Sequence, residues 1–388
     1  MSLTKVSRTL TEIKPSLIRR FLDVARRRPG TIDLTIGDPS HKTPSHVIEA
    51  YVRALREGKV KYSTSRGIYE LREAIADKYR REYGLDYSPD EVVVTVGASE
   101  AIFSTIRALI DPGDEVLIPD PGFVQYEPAV RICHGKPIHH PLLEEKDYLP
   151  DVEAMKELIS KRTRVIVMNT PCNPTGSVFT RDILKAIIDL AEDHDLIVVS
   201  DEVYEKFTYD GVTHECIATY SPERVIVINS FSKTYSMTGL RVGYLLGPRE
   251  LVEHIFLIHF YNVTQTSTPA QYAALAALRG PHDFLKEAVE LYDRNRKAIL
   301  RALDRLRIPY VRPKGAYYVF PRIDMFGMSS MEFAKWLVEH AGVAVVPGVA
   351  FGDKGKAHVR ISFSQRTDLV EEAAERLIKA LEGFSKNR

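Results

Sequence analysis

The sequence predicts an α/β protein, with a large domain on a mainly parallel sheet covered by helices and a smaller α+β domain beside it. Three observations point there. From about residue 40 to about residue 265, short apolar runs alternate with amphipathic helical patterns. The runs are almost continuously apolar, as strands buried on both faces must be. The last third then changes to long helical segments with a few strands between them.

The elements follow in order. Between Pro15 and Arg28, the residues Leu17, Ile18, Phe21, Leu22 and Ala25 share one helical stripe. After Pro29 and Gly30 comes the extended run IDLTIG, closed by the turn Asp38-Pro39-Ser40. The strand candidates are EVVVTVG, DEVLIP, RVIVMN, DLIVVSDE, RVIVIN and VGYLLG. Helical patterns separate most of them: ASEAIFSTIRALI, DVEAMKELISK and TRDILKAIIDLAEDHD. The C-terminal third offers helices over 284–306, 331–341 and 368–384, with strands in GAYYVFP, GVAVVP and HVRISF. We divide the chain into an N-terminal arm that also serves the small domain (1–40), a large domain (41–270) and a small C-terminal domain (271–388).

Composition narrows the function. A chain of 388 residues can bury two cores. Lys and Arg (53) nearly cancel Asp and Glu (52), with no basic stripe, which argues against a nucleic-acid partner. The longest apolar runs are strand-sized, so no membrane span is expected. The three cysteines are scattered and show no metal-ligand spacing, so neither a metal nor a disulfide framework is expected. No signal-peptide pattern opens the chain, and a cytoplasmic location follows as the expectation. Asn and Gln are scarce while charges are many, which points to a thermophilic source.

Ligands of open parallel sheets sit beyond the carboxyl ends of the strands, and five informative stretches fall there. Gly97-Ala98-Ser99 opens a helix after EVVVTV, where free N–H groups suit a phosphate, although Ser99 could simply cap the helix. Asn173-Pro174-Thr175-Gly176 is either a turn or, through a cis Asn–Pro bond, a means of aiming Asn173 into a site. Asp201 and Tyr204 follow DLIVVS; a carboxylate there needs a partner, either a structural cation or a protonated heterocyclic nitrogen. Ser230-Phe231-Ser232-Lys233 follows RVIVIN, and a lysine at a strand end among hydroxyl residues can act as a nucleophile towards carbonyls. Arg241, inside the apolar run MTGLRVGYLLG, calls for an anion, either a structural carboxylate or a phosphate.

Together these parts describe a phosphate, a pyridine nitrogen, a phenolic oxygen and an aldehyde that condenses with an amine. The string SFSKTYSMTGLRVGY resembles the lysine signature of the class I and II aminotransferases, within the fold-type-I pyridoxal phosphate enzymes. PCNPTG, SDEVYEKF, KYSTSRGIYELREAI and HVRISF resemble other signatures of that family, in its order and spacing, from about Ile32 to Phe363. The overall likeness is to archaeal-type aromatic and aspartate aminotransferases.

The resemblance implies a seven-stranded central sheet, pyridoxal 5'-phosphate as cofactor, and a homodimer with shared active sites. Lys233 would carry the cofactor as a Schiff base and move the substrate proton. Asp201 would pair with the ring nitrogen, and Tyr204 and Asn173 with the phenolic oxygen. Ala98, Ser99, Ser230, Ser232 and Arg241 would hold the phosphate, with Tyr62 reaching the phosphate of the neighbouring subunit. Phe123 would stack on the ring. Arg360 would clamp the substrate carboxylate, helped by Asn173 and the backbone at Gly37. The expected reaction is a ping-pong transamination from an L-amino acid, aromatic in preference to aspartate or alanine, to a 2-oxo acid such as 2-oxoglutarate. The alternatives are a C–S lyase of the same cofactor class and a non-catalytic regulator that binds the cofactor. Two departures stand out: no second arginine for a distal carboxylate lies near Ser267, and Leu240 stands where many relatives have Trp.

Overall fold

The computed structural model describes residues 6–11, 13 and 15–386. Its strands, in chain order, are β1 (Ile32–Asp33), β2 (Val92–Thr95), β3 (Glu115–Asp120), β4 (Lys136–Pro141), β5 (Thr163–Asn169), β6 (Ile197–Asp201), β7 (Val225–Ser230), β8 (Gly243–Leu246), β9 (Tyr318–Val319), β10 (Val343–Ala344), β11 (Val346–Pro347) and β12 (Val359–Ser362). A seven-stranded sheet takes the order β2-β8-β7-β6-β5-β3-β4. Strand β8 runs antiparallel to both its neighbours, and the remaining pairings are parallel. All six apolar runs became strands of this sheet. The seventh, β4, is the half-exposed edge segment KPIHHP, whose prolines and histidines gave no apolar signal.

Period-two alternation divides the strand residues between two faces. Val92, Val94, Ile166, Met168, Val225 and Val227 pack beneath the helices Tyr69–Tyr83, Arg181–Asp193 and Thr268–Arg279. Val93, Val116, Val165, Val167, Ile226 and Ile228 pack beneath Gly97–Leu109 and Arg249–Val263. In the helix Thr268–Arg279, the residues Ala273, Ala274, Ala277 and Leu278 pack on the face that carries Val92 and Val94.

A second core gathers the helices Phe284–Arg305, Ser330–His340 and Thr367–Lys386 around the three-stranded sheet β11-β12-β9. The N-terminal segment joins it: β1 pairs in parallel with β10, and Phe21, Ile32 and Leu34 are buried there. The side chains of Leu22 and Ala25, on the expected stripe of the helix Leu17–Arg27, lie outside the described residues. The cysteines Cys133, Cys172 and Cys216 are buried and unpaired. Among the described residues no helix is long and apolar enough to cross a membrane.

One buried ion pair sits under the first core. Lys78 Nζ lies 2.9 Å from Glu205, with the two side chains 5% and 3% exposed, and Tyr83 donates a hydrogen bond of 2.7 Å to the same carboxylate. Burial pushes the Glu205 carboxyl up, but Lys78, then Lys206 and His214, outweigh it and hold it at about 2. A depressed carboxyl stabilises the fold above its ordinary range near ~4.3 and loses that contribution as pH falls towards the folded value. Lys78→Met should strand the carboxylate and cost about 3–5 kcal/mol in denaturant unfolding. The sign of the pH effect should also reverse. Wild type loses stability on acidification, whereas the variant gains on it from pH 7 to pH 5 relative to wild type, because its buried carboxyl takes up a proton.

Candidate active site

At the carboxyl end of the sheet, β5 ends in Asn169, β6 in Asp201 and β7 in Ser230, and the helix Gly97–Leu109 begins just past β2. A cavity of about 220 Å³ opens there, walled on its far side by Gly37, Tyr318 and Arg360. It therefore lies between the two cores.

Lys233 stands in the short helix Phe231–Thr234 directly after β7. The Ser230 side chain caps that helix, accepting the Ser232 N–H at 3.0 Å. Lys233 Nζ points into the cavity and donates to the Gly37 carbonyl at 2.7 Å. No acid pairs with it among the described residues. Burial pushes the amine down to about 8; Arg360 and Arg241 act in the same sense, against Asp38 and Asp201.

Asp201 is 3% exposed. Its Oδ2 accepts the Tyr126 hydroxyl at 2.7 Å, and no cation pairs with it among the described residues. Burial raises its carboxyl to about 6, against the Tyr126 and Val203 hydrogen bonds. Asp201 is thus not half of a salt bridge among the described residues. Tyr204 Oη lies 2.9 Å from Tyr318 Oη, and both tyrosines pack in the second core although Tyr204 follows a strand of the main sheet.

Arg360, on β12, is 2% exposed yet has no acid partner among the described residues. Its Nη1 donates to Asn173 Oδ1 at 2.8 Å, and its Nη2 to the Thr35 carbonyl. The guanidinium lies 4.3 Å from the Tyr318 ring centroid and 4.8 Å from that of Phe351. Its Nε finds no partner among the described residues. The Asn173–Pro174 bond is cis, and Asn173 faces the cavity.

Around the helix start, Gly97 has φ +75°, and a side chain there would come within 2.6 Å of Arg241 Nη2. A Cβ on Gly243 would meet the Gly97 carbonyl carbon at 2.5 Å, so these two glycines let β8 press against the turn. Ser99 does not cap the helix; Val96 holds the N-cap position without a side-chain bond, which leaves the Ala98–Ser99 edge facing the cavity. Arg241 corrects one expectation. It is exposed rather than buried in its apolar run, with φ +53° and Nη1 donating to the Thr238 carbonyl at 2.9 Å, and it has no acid partner among the described residues.

Phe123 and Ser232 line the same cavity. Tyr62 does not: it is 86% exposed on the surface of this chain. Gly37 is present through its carbonyl, which accepts from Lys233 and, at 3.2 Å, from Tyr317. The sequence reading missed Tyr126, Asn169 and Tyr318. Asn169 had a signal like that of Asp201, a polar residue closing an apolar run. It binds the Asp201 carbonyl at 2.9 Å and accepts the Asn173 N–H at 2.7 Å. Tyr318 was read only as a strand residue of GAYYVFP, and Tyr126 carried no separate signal.

A mainly parallel sheet with an amine nucleophile beyond the carboxyl end of one of its strands, facing a buried guanidinium that lacks an acid among the described residues, suits an enzyme that handles an amino group beside a carboxylate. The chain belongs to the family described as aminotransferase class I and II, whose model matches residues 29–377. It is 42% identical over 381 residues to the aspartate aminotransferase of Pyrococcus abyssi, covering 97% of this chain and 98% of that protein. It is also 42% identical to aromatic-amino-acid aminotransferase 2 of Thermococcus litoralis, with the same coverage. Among solved structures, the aspartate aminotransferase from Thermus thermophilus with maleate matches with a TM-score of 0.93 at 39% identity, covering 97% of this chain and 99% of that one. The protein is a transaminase, acting on amino acids and oxo acids.

The depressed amine makes a direct prediction. Condensation of Lys233 with a small aldehyde, trapped with borohydride and located by mass spectrometry, should rise with pH about a midpoint near 8. An exposed lysine would instead titrate near ~10.4.

Proposed function

We propose that the chain is a pyridoxal 5'-phosphate-dependent transaminase that takes the amino group of an aromatic L-amino acid and passes it to a 2-oxo acid, 2-oxoglutarate, in two half-reactions. The observation that carries this is the pairing of Lys233 and Arg360 across one cavity, with neither side chain neutralised by an acid among the described residues.

The residues fit the cofactor. Arg241, the N-terminal edge at Ala98–Ser99, Ser230 and Ser232 suit a phosphate. Asp201, buried without an ion pair, suits a protonated ring nitrogen, and Tyr204 and Asn173 suit a phenolic oxygen. Phe123 offers an aromatic face. Bound there, pyridoxal 5'-phosphate supplies an aldehyde that condenses with amines and a cationic ring that stabilises negative charge at the substrate α-carbon.

The chain's own groups do the rest. Lys233 Nζ, whose pKa burial brings down to about 8, takes the proton from the α-carbon in its neutral form and returns it on the other side of the exchange. Arg360, whose Nε has no partner among the described residues, binds the α-carboxylate and so fixes which α-bond faces Lys233. Asn173 and the Thr35 carbonyl keep the guanidinium from turning away. Tyr126 holds the Asp201 carboxylate in place and favours its ionised form.

The substrate choice rests on the rest of the lining. Beyond Lys233, Arg241 and Arg360, the cavity is walled by Ile18, Ile36, Phe123, Val203 and Tyr318, with no further cation among the described residues. Such a wall suits an aromatic side chain better than a second carboxylate. Exposed Val60, Tyr62, Leu257 and Tyr261 form apolar surface that supports a homodimer, in which Tyr62 completes the neighbouring site.

Lys233→Ala should abolish turnover together with the borohydride-trappable adduct on the protein. Arg360→Lys should lower kcat/KM for amino acids about 10- to 100-fold, since the charge stays but the two-point hydrogen-bonding fork is lost. A panel of amino donors with 2-oxoglutarate, followed by cofactor absorbance, should rank phenylalanine and tyrosine above aspartate. Inactivity with both aromatic donors overturns the substrate choice while leaving the reaction class intact.

A further inference from the structure

Behind the helix start lies a buried histidine–glutamate pair that none of the roles above uses. His259, on the helix Arg249–Val263, is completely buried. Its Nε2 is 3.0 Å from the Ser65 carbonyl and its Nδ1 is 3.1 Å from Glu100 Oε2. A carbonyl only accepts, so Nε2 carries a proton. Glu100 Oε2 already accepts the Val96 N–H at 3.2 Å, and its Oε1 accepts the Ser104 hydroxyl at 2.5 Å. The contact between Nδ1 and Oε2 is a hydrogen bond, so it holds one further proton, and together with the Nε2 proton this leaves the pair without net charge whichever of the two atoms carries it.

Its position gives it a task. Val96 is the residue from which the helix Gly97–Leu109 starts, and Glu100 lies in the first turn of that helix. A bare carboxylate there favours the helix but repels an anion approaching the same N-terminal edge. Hydrogen-bonded through that further proton, the imidazole and the carboxyl together present no net charge to it. Its other nitrogen holds Ser65, three residues beyond Tyr62, and the adjoining Arg66 carbonyl accepts the Val94 N–H at 2.9 Å. One side chain thus ties the phosphate-facing turn to the segment that bears Tyr62.

We propose that His259 and Glu100 are positioning residues for the phosphate cradle, keeping its N–H edge in place and free of net negative charge. This rests on the cofactor reading above. The experiment compares equilibrium binding of pyridoxal 5'-phosphate and of unphosphorylated pyridoxal to the apo forms of wild type, H259Q, E100Q and the double variant, with folding checked by circular dichroism. H259Q should weaken pyridoxal 5'-phosphate about 10- to 100-fold, while pyridoxal changes by less than about threefold. The double variant should recover part of the loss, because the stranded carboxylate is gone. Equal weakening of both ligands, or an unchanged ratio, overturns the proposal and leaves the cofactor reading standing. A wild type that binds neither aldehyde overturns the cofactor reading and this inference with it. If both single variants fail to fold, the pair belongs to the core and the proposal is overturned.

Discussion

A full positive charge is kept inside the protein on Arg360, and the site is arranged around it. Taking a guanidinium out of water is costly unless every donor finds a partner. Here the cost is offset by an amide oxygen, a backbone carbonyl and two aromatic faces rather than by an acid. Asn173 comes from the sheet domain, Thr35 from the N-terminal segment, and Arg360 from the C-terminal sheet. One side chain therefore joins three distant stretches of chain and leaves an edge for an anion. Had an acid filled that place, the charge would have been satisfied and the cavity wall would attract nothing.

The turn after β6 works on two sides. Asp201 and Tyr204 line the cavity, whereas Glu202 and Glu205 point the other way, to His214 at 2.9 Å and to Lys78. The buried acids on the far side hold the turn to the sheet domain. The tyrosine on the near side packs in the other core itself, with its hydroxyl against that of Tyr318. Four charged or polar residues within five positions are thus all accounted for, half by chemistry and half by anchoring.

Much of this was legible in the chain itself. Continuous apolar runs named six strands of the main sheet, because strands covered on both faces leave no room for polar residues. The same rule hid β4, whose open edge tolerates prolines and histidines. Lys233, Asp201 and Asn173 could be found because a polar residue at the end of an apolar strand is conspicuous. Tyr126 and Tyr318 could not: an aromatic in an apolar context reads as packing, and only the fold brings their hydroxyls to Asp201 and Tyr204. Arg241 was found for the wrong reason, since its apolar neighbours are buried while its own side chain lies at the surface. The pairing of His259 with Glu100 spans 159 positions, and no local pattern encodes it.

The one reversed strand has a consequence for how the site is wired. Antiparallel neighbours can be joined by a short connection, whereas parallel ones need a crossover that returns to the opposite edge. Because β8 runs against β7, the chain leaves Ser230 and comes back at Gly243 on the same side of the sheet. Lys233 and Arg241 consequently hang from a single loop, one just after its departure and the other just before its return. Lengthening that loop would separate the amine from the guanidinium without touching a strand, so an insertion there would disturb the site while leaving the sheet intact.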